Sequence, residues 1–158
     1  GWQAHARPFA FEQEMDYAGG MERWLTGTPA IPALFAAVAG PEIISRAGIV
    51  AIREKSVRQT EWLIAAADAR GYRVHAPRDS ARRGGTVAFD VPHGHEVAQF
   101  LLSRNIIVDY RVGAGIRIGP HFYTRDEELD ACIGAIDECL STGQWERFAA
   151  AARSAVVT

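Results

Sequence analysis

From Glu42 to Arg70 the chain carries a helical pattern with no internal proline, and this run limits what the rest can fold into. Ile44, Ala47 and Ala51 form one apolar stripe, and Leu63 and Ala67 continue its spacing. Arg46, Arg53, Glu54 and Arg58 fall on the opposite side. Gly71 stands where a helix C′ residue belongs. At 1.5 Å per residue such a helix spans about 43 Å, long for so small a chain. It predicts a connector: residues 1–41 before it, 42–71 as the helix, and 72–158 as a separate body after it.

Residues 1–31 are rich in Gly and Pro and predict irregular chain with one short helix near Met21–Leu25. "PALFAAVA" predicts a helix with Pro32 in its first turn and a break at Gly40 and Pro41. After Gly71 the pattern alternates. "YRVHA", "GTVAFDV", "IIVDYR" and "GIRIG" are strand candidates at 72–76, 85–91, 106–111 and 115–119. Helices are predicted over Glu96–Arg104 and, behind a Thr124/Glu127 capping box, through Leu129, Ile133, Ile136 and Leu140. An Ala-rich tail from Trp145 predicts one more. The fold class is α+β, with a sheet of about four strands covered by helices on one face.

The chain has 158 residues and a net charge of −2, which provides no electrostatic footprint for nucleic acid or an anionic membrane. Of its 17 basic residues only Lys55 is a lysine, so an amine nucleophile has one candidate. Cys132 and Cys139 share a helix face about 10 Å apart along the axis, too far for a disulfide. With no signal peptide or long apolar run, the expected setting is cytoplasmic. The opening "GWQAHARPF" has no helix cap and no initiator Met, and predicts that the chain is a fragment.

Arg117 is the most pointed candidate. Alternation turns it away from Ile116 and Ile118, and its planar fork binds carboxylates bidentately where a lysine offers a point charge. The pattern leaves two readings open, a solvated edge-strand residue and an anion clamp. His121 and Tyr123 line the same cleft or pack at the turn. "TGTP" at 26–29 offers hydroxyls and a glycine before a helix, a phosphate loop or a plain turn. "RRGG" at 82–85 is read as a basic loop. "HGH" at 93–95 is read as a helix start, there being no third ligand at metal-binding spacing. Glu127 and Glu128 complement a helix dipole.

Taken in order, "GWQAHARPFAF", "WLTGTPAIPAL", "IREKSVRQT", "PRDSARRGGTVAFDVPHG" and "IIVDYRVGAGIRIGPHFYT" resemble the last third to two-fifths of a kynureninase, a class V member of the fold-type-I pyridoxal-phosphate (PLP) enzymes. The resemblance covers essentially the whole chain. It implies the end of a PLP-binding large domain at 1–41, a connecting helix at 42–71 and a small, mainly antiparallel α+β domain at 72–158, in a homodimer. It implies that Trp2 and Thr28 contact the cofactor phosphate, Thr28 across the dimer interface, and that Arg117 grips the α-carboxylate of a small amino-acid substrate. His5 belongs to the same stretch without an implied role. The family's Schiff-base lysine lies upstream of the "GW" motif, before Gly1, so the chain alone is expected to be inactive. Lys55, in the connector, is no substitute. Ala4 stands where the family usually has glycine, and "RIGPHFY" is one residue shorter than the usual kynureninase stretch. That form resembles class V transaminases, epimerases and desulfurases, which remain the alternative activity. A stand-alone ligand-binding or dimerisation module without chemistry is the third reading.

Overall fold

Gly48 adopts φ 83° and ψ 120°, in the region that glycine occupies without strain, and the helical ladder stops there. The run expected as one helix from Glu42 to Arg70 is therefore two. The computed structural model describes residues 1–149, and the chain divides at the same glycine into two compact units.

In residues 1–48, three 3-10 turns (Trp2–Ala4, Pro8–Ala10 and Glu22–Trp24) precede helices α1 (Ile31–Ala37) and α2 (Ala39–Ala47). The break expected at Gly40 and Pro41 lies at Val38 instead. Pro41 sits in the first turn of α2, where a backbone N–H has no intrahelical partner to lose. His5 ties this unit together. The Arg7 amide donates to its Nδ1 at 2.8 Å, which leaves the proton on Nε2 for the Glu14 carbonyl at 3.1 Å. Apart from Ala4, His5 and Ala18, little is buried. Phe9, Phe11, Met21, Trp24 and Phe35 are 72–83% exposed, and no residue of α1 or α2 is buried. Residues 1–48 do not close a core of their own.

The second unit does. It contains α3 (Ile49–Ala69), β1 (Val87–Phe89), α4 (Gly94–Ser103), β2 (Asp109–Arg111), β3 (Gly115–Ile118) and α5 (Asp126–Ser141). The strands form an antiparallel sheet of order β1-β3-β2. Residues 72–76 add a partial fourth edge beside β1. There the His75 amide donates to the Ala88 carbonyl and the Asp90 amide to the Arg73 carbonyl, each at 2.9 Å. Val87, Phe89, Ile116 and Ile118 point to one face, where α3, α4 and α5 cover them with Leu63, Val97, Leu101, Leu129, Ile133 and Ile136. Each such side chain, once fully buried, contributes about 1.5–3 kcal/mol. Cys132 and Cys139 are free and buried in this layer, and burial pushes the Cys132 thiol up to about 11.

Local chemistry sets the element ends. The Thr124 hydroxyl accepts from the His121 amide at 2.9 Å, so it is not free to cap α5. The expected Thr124/Glu127 box shifts by one residue, and the Arg125 amide donates to Glu128 Oε2 at 2.7 Å. Gly94 opens α4 because a Cβ there would lie 3.0 Å from the Tyr110 ring. Residues 146–149 are helical, and the rest of the helix expected from Trp145 lies outside the described residues.

The β2–β3 hairpin contains two glycines with opposite tolerances. At Gly115, φ is 75° and a Cβ would fall 2.2 Å from the Phe89 carbonyl oxygen, whereas at Gly113, φ is 79° with nothing within 4 Å. Gly115→Ala is expected to lower stability by roughly 3 kcal/mol or more, since the backbone contact between β1 and β3 must open. Gly113→Ala costs only the left-handed strain of about 1–2 kcal/mol. Urea denaturation of the two variants tests this, and equal losses would contradict it.

Candidate functional site

Arg117 lies on the central strand, not on an edge. Its neighbours along β3 are buried, so the pleat sends its side chain to the uncovered face of the sheet. The register places Ala88 of β1 beside it on one side and Asp109 of β2 on the other. Ala88 is too short to screen the guanidinium. Asp109 reaches it: Nη2 of Arg117 donates to Asp109 Oδ2, and Arg111 Nε donates to the same oxygen at 3.0 Å. Asp109 and Arg111 are two apart on one strand and so share a face. Arg117 and Asp109 side chains are each 42% exposed, and the cluster keeps one net positive charge. Partial desolvation pushes the Asp109 carboxyl up, but the bonds and charges of Arg117 and Arg111 outweigh it and hold the group below the ordinary carboxylate value. A fork on an open face, bonded to a carboxylate of its own chain, is chemically suited to bind another.

The chain after β3 is held from α3. Lys55 Nζ donates to the Phe122 carbonyl at 2.9 Å, and Gln59 Nε2 donates to the Thr124 carbonyl and to Asp126 Oδ1, both at 2.9 Å. Arg58 pairs with Asp126 at 2.6 Å. His121 and Tyr123 stack at 4.5 Å between centroids and line a cavity of about 620 Å³ with Ile106, Ile118 and Cys132. Arg117 is not among its lining residues. The pleat turns Ile118 to the opposite face, so the structure separates His121 and Tyr123 from the guanidinium.

Trp2 and Thr28 both belong to residues 1–48. Trp2 is 44% exposed and edges onto Phe9 at 5.6 Å, and Thr28 is exposed. Neither side chain donates a hydrogen bond among the described residues, so an indole N–H and a hydroxyl are free for an oxyanion. Each is a donor type that suits a phosphate oxygen. The "GW" turn packs on the stretch leading to Thr28: a Cβ at Gly1 would fall 1.5 Å from the Thr26 carbonyl oxygen, so only glycine fits.

The other motifs have structural partners. His93 is the residue before α4, in a left-handed conformation (φ 54°), and stacks on Trp145 at 3.4 Å, while His95 edges onto Tyr110. Arg83 of "RRGG" is buried, not part of a basic loop surface. Its guanidinium donates to the Thr60 hydroxyl and to the Pro77 and Arg78 carbonyls. Nothing in its spacing announced this. Asp109 and Arg111 join Arg117 only through the strand register. Their i, i+2 spacing in a strand was the available signal, but the partner strand was unknown.

Residues 52–136 match the family model of the kynureninase C-terminal domain. Kynureninase from Burkholderia mallei is 31% identical over 161 residues, an alignment covering 99% of this chain and 39% of that protein. Kynureninase from Pseudomonas fluorescens is 32% identical over 151 residues, covering 92% and 36%. The chain thus spans about two-fifths of the length of these relatives. Among solved structures, the apo cysteine desulfurase from Thermococcus onnurineus superposes with a TM-score of 0.68 and 25% identity, over 81% of this chain and 36% of that one. The cystine C-S lyase C-DES with its product cysteine persulfide gives 0.65 and 23%, over 86% and 36%. The latter likeness is one of fold.

The Gln59 contacts generate a test of how the turn after β3 is held. The Gln59 bond, followed by Arg58, holds the Asp126 carboxyl below its ordinary 3.8. A depressed carboxyl adds stability that is present above the unfolded value and lost as pH falls through the folded one. Gln59→Leu should move the Asp126 midpoint up toward 3.8, read by carboxyl carbon NMR, and lower stability at neutral pH by about 1–3 kcal/mol. An unchanged midpoint would show that the turn is held otherwise.

Proposed function

Because the chain belongs to the kynureninase C-terminal domain family, we propose that it is the C-terminal portion of a PLP-dependent, kynureninase-like hydrolase. The reaction proposed for the whole protein is hydrolysis of the Cβ–Cγ bond of kynurenine. Water provides hydroxyl to the acyl carbon, giving anthranilate, and a proton to Cβ, giving alanine. The observation that carries the reading is Arg117, a fork on the open face of a family-matched domain, already bonded to a carboxylate.

Within this reading residues 1–41 end the PLP-binding domain, 42–71 connect, and 72–158 form the small domain. The apolar side chains exposed on residues 1–48 support burial against further protein, and the whole is proposed as a cytoplasmic homodimer. PLP, when bound, supplies the electron sink that cleavage beside an amino-acid Cα requires. Trp2 and, across the dimer interface, Thr28 of the second copy hold its phosphate with one N–H and one O–H, and Arg117 holds the substrate α-carboxylate and so orients the molecule. Lys55 is already committed to the Phe122 carbonyl, which supports the view that the chain alone has no amine for the cofactor and is inactive.

A second reading is a class V transaminase, epimerase or desulfurase. It draws on the shortened "RIGPHFY" stretch and on the likeness to cysteine desulfurase. The full-length protein with PLP is expected to release anthranilate from L-kynurenine, while the 158-residue chain releases none. Release of sulfide or transfer of the amino group, without anthranilate, would favour the second reading. Trp2→Phe and Thr28→Ala should each weaken PLP affinity by roughly tenfold, the loss of one charge-assisted hydrogen bond. Unchanged affinity in both would remove them from the phosphate site.

A further inference from the structure

Building on the reading of Arg117 as the carboxylate ligand, we propose that Asp109 is a built-in competitor for that ligand and that Arg111 is the partner onto which it withdraws. The contact is imposed by the fold. Asp109 and Arg117 are direct cross-strand neighbours, so the ladder holds them together on the open face. Asp109 bonds Nη2, the nitrogen shared by both bidentate edges of a guanidinium, Nη1/Nη2 and Nε/Nη2. It therefore occupies one edge and places a like charge beside the other. An incoming carboxylate must displace it to take that edge, or else bind the other edge against its charge.

Displacement leaves no orphaned charge, because Arg111 Nε already bonds the same Asp109 oxygen at 3.0 Å. Asp109 has only to give up one of two arginines. Both Asp109 and Arg117 are partly exposed, so the pair is weak, as exposed pairs are. The competition thus modulates affinity without shutting the site. The three side chains behave as a two-position switch: Asp109 shared between both arginines when the site is empty, and on Arg111 alone when it is filled.

The test is steady-state kinetics of the PLP-loaded full-length protein, with dissociation constants for L-alanine from calorimetry as a readout independent of turnover. Asp109→Asn should tighten L-alanine and lower KM by roughly two- to fivefold, the most that an exposed pair is worth. Arg111→Gln should weaken binding by a similar factor, since Asp109 then stays on Arg117. In the double variant the Arg111→Gln effect should vanish, because no carboxylate remains to be withdrawn. If Asp109→Asn binds equally well or less well, Asp109 is a support for Arg117 and the proposal fails. An Arg111→Gln effect that persists undiminished in the double variant makes Arg111 a general attracting charge and also overturns it. Arg117→Gln is the control for the underlying assignment: if it leaves binding unchanged, the carboxylate-ligand reading fails, whatever Asp109 does. Melting temperatures close to wild type, expected at exposed positions, confirm that the variants are compared as folded proteins.

Discussion

β3 has a hydrogen-bonded neighbour on each side, and its pleat decides where every side chain in it goes. Ile116 and Ile118 enter the layer under α3, α4 and α5, so Arg117 between them must emerge on the open face. The pairing depends on Gly115, whose missing Cβ lets β3 lie against the Phe89 carbonyl. A one-residue slip would bury the guanidinium and expose both isoleucines. The cost of an unpaired buried charge makes that register prohibitive. Core packing and the aim of the functional side chain are therefore one constraint.

The polar side of α3 does the complementary task. Lys55 and Gln59 bond the chain just after β3, and Thr60 accepts from buried Arg83 just before β1. Arg53 donates to the Arg83 carbonyl at 3.0 Å. The segments flanking two strands of the sheet thus hang from one helix, by charged or amide donors from Arg53, Lys55 and Gln59 to backbone carbonyls and by the Thr60 hydroxyl as acceptor. Such bonds fix a loop without needing it to be apolar, which is why the stretch from Pro120 to Arg125 can be both irregular and ordered.

Much of this was readable from residue order. Alternation in "GIRIG" sufficed to turn Arg117 away from its neighbours, and the periods of α4 and α5 were plain. What failed were features that depend on a partner distant in sequence. The pattern between Glu42 and Arg70 has unbroken helical spacing, and only the backbone angles of Gly48 reveal the break. Thr124 looked like a cap until the His121 amide claimed its hydroxyl. Arg83 looked like a loop cation because burial depends on Thr60 and two carbonyls that spacing cannot locate. Asp109 and Arg111 are brought to Arg117 by the strand register alone, which residue order does not show.

The account depends on Arg117 as the group that recognises an amino-acid carboxylate, and a ligand pair differing only in that group tests it most directly. Inhibition constants of L-kynurenine analogues with and without the carboxylate, measured on the full-length protein and its Arg117→Gln variant, isolate the interaction. The wild type is predicted to prefer the carboxylate form by roughly ten- to a hundredfold, as a charge-assisted bidentate pair allows. In Arg117→Gln the preference should shrink to about twofold or less. A variant that keeps the full preference would place carboxylate recognition elsewhere and contradict the account.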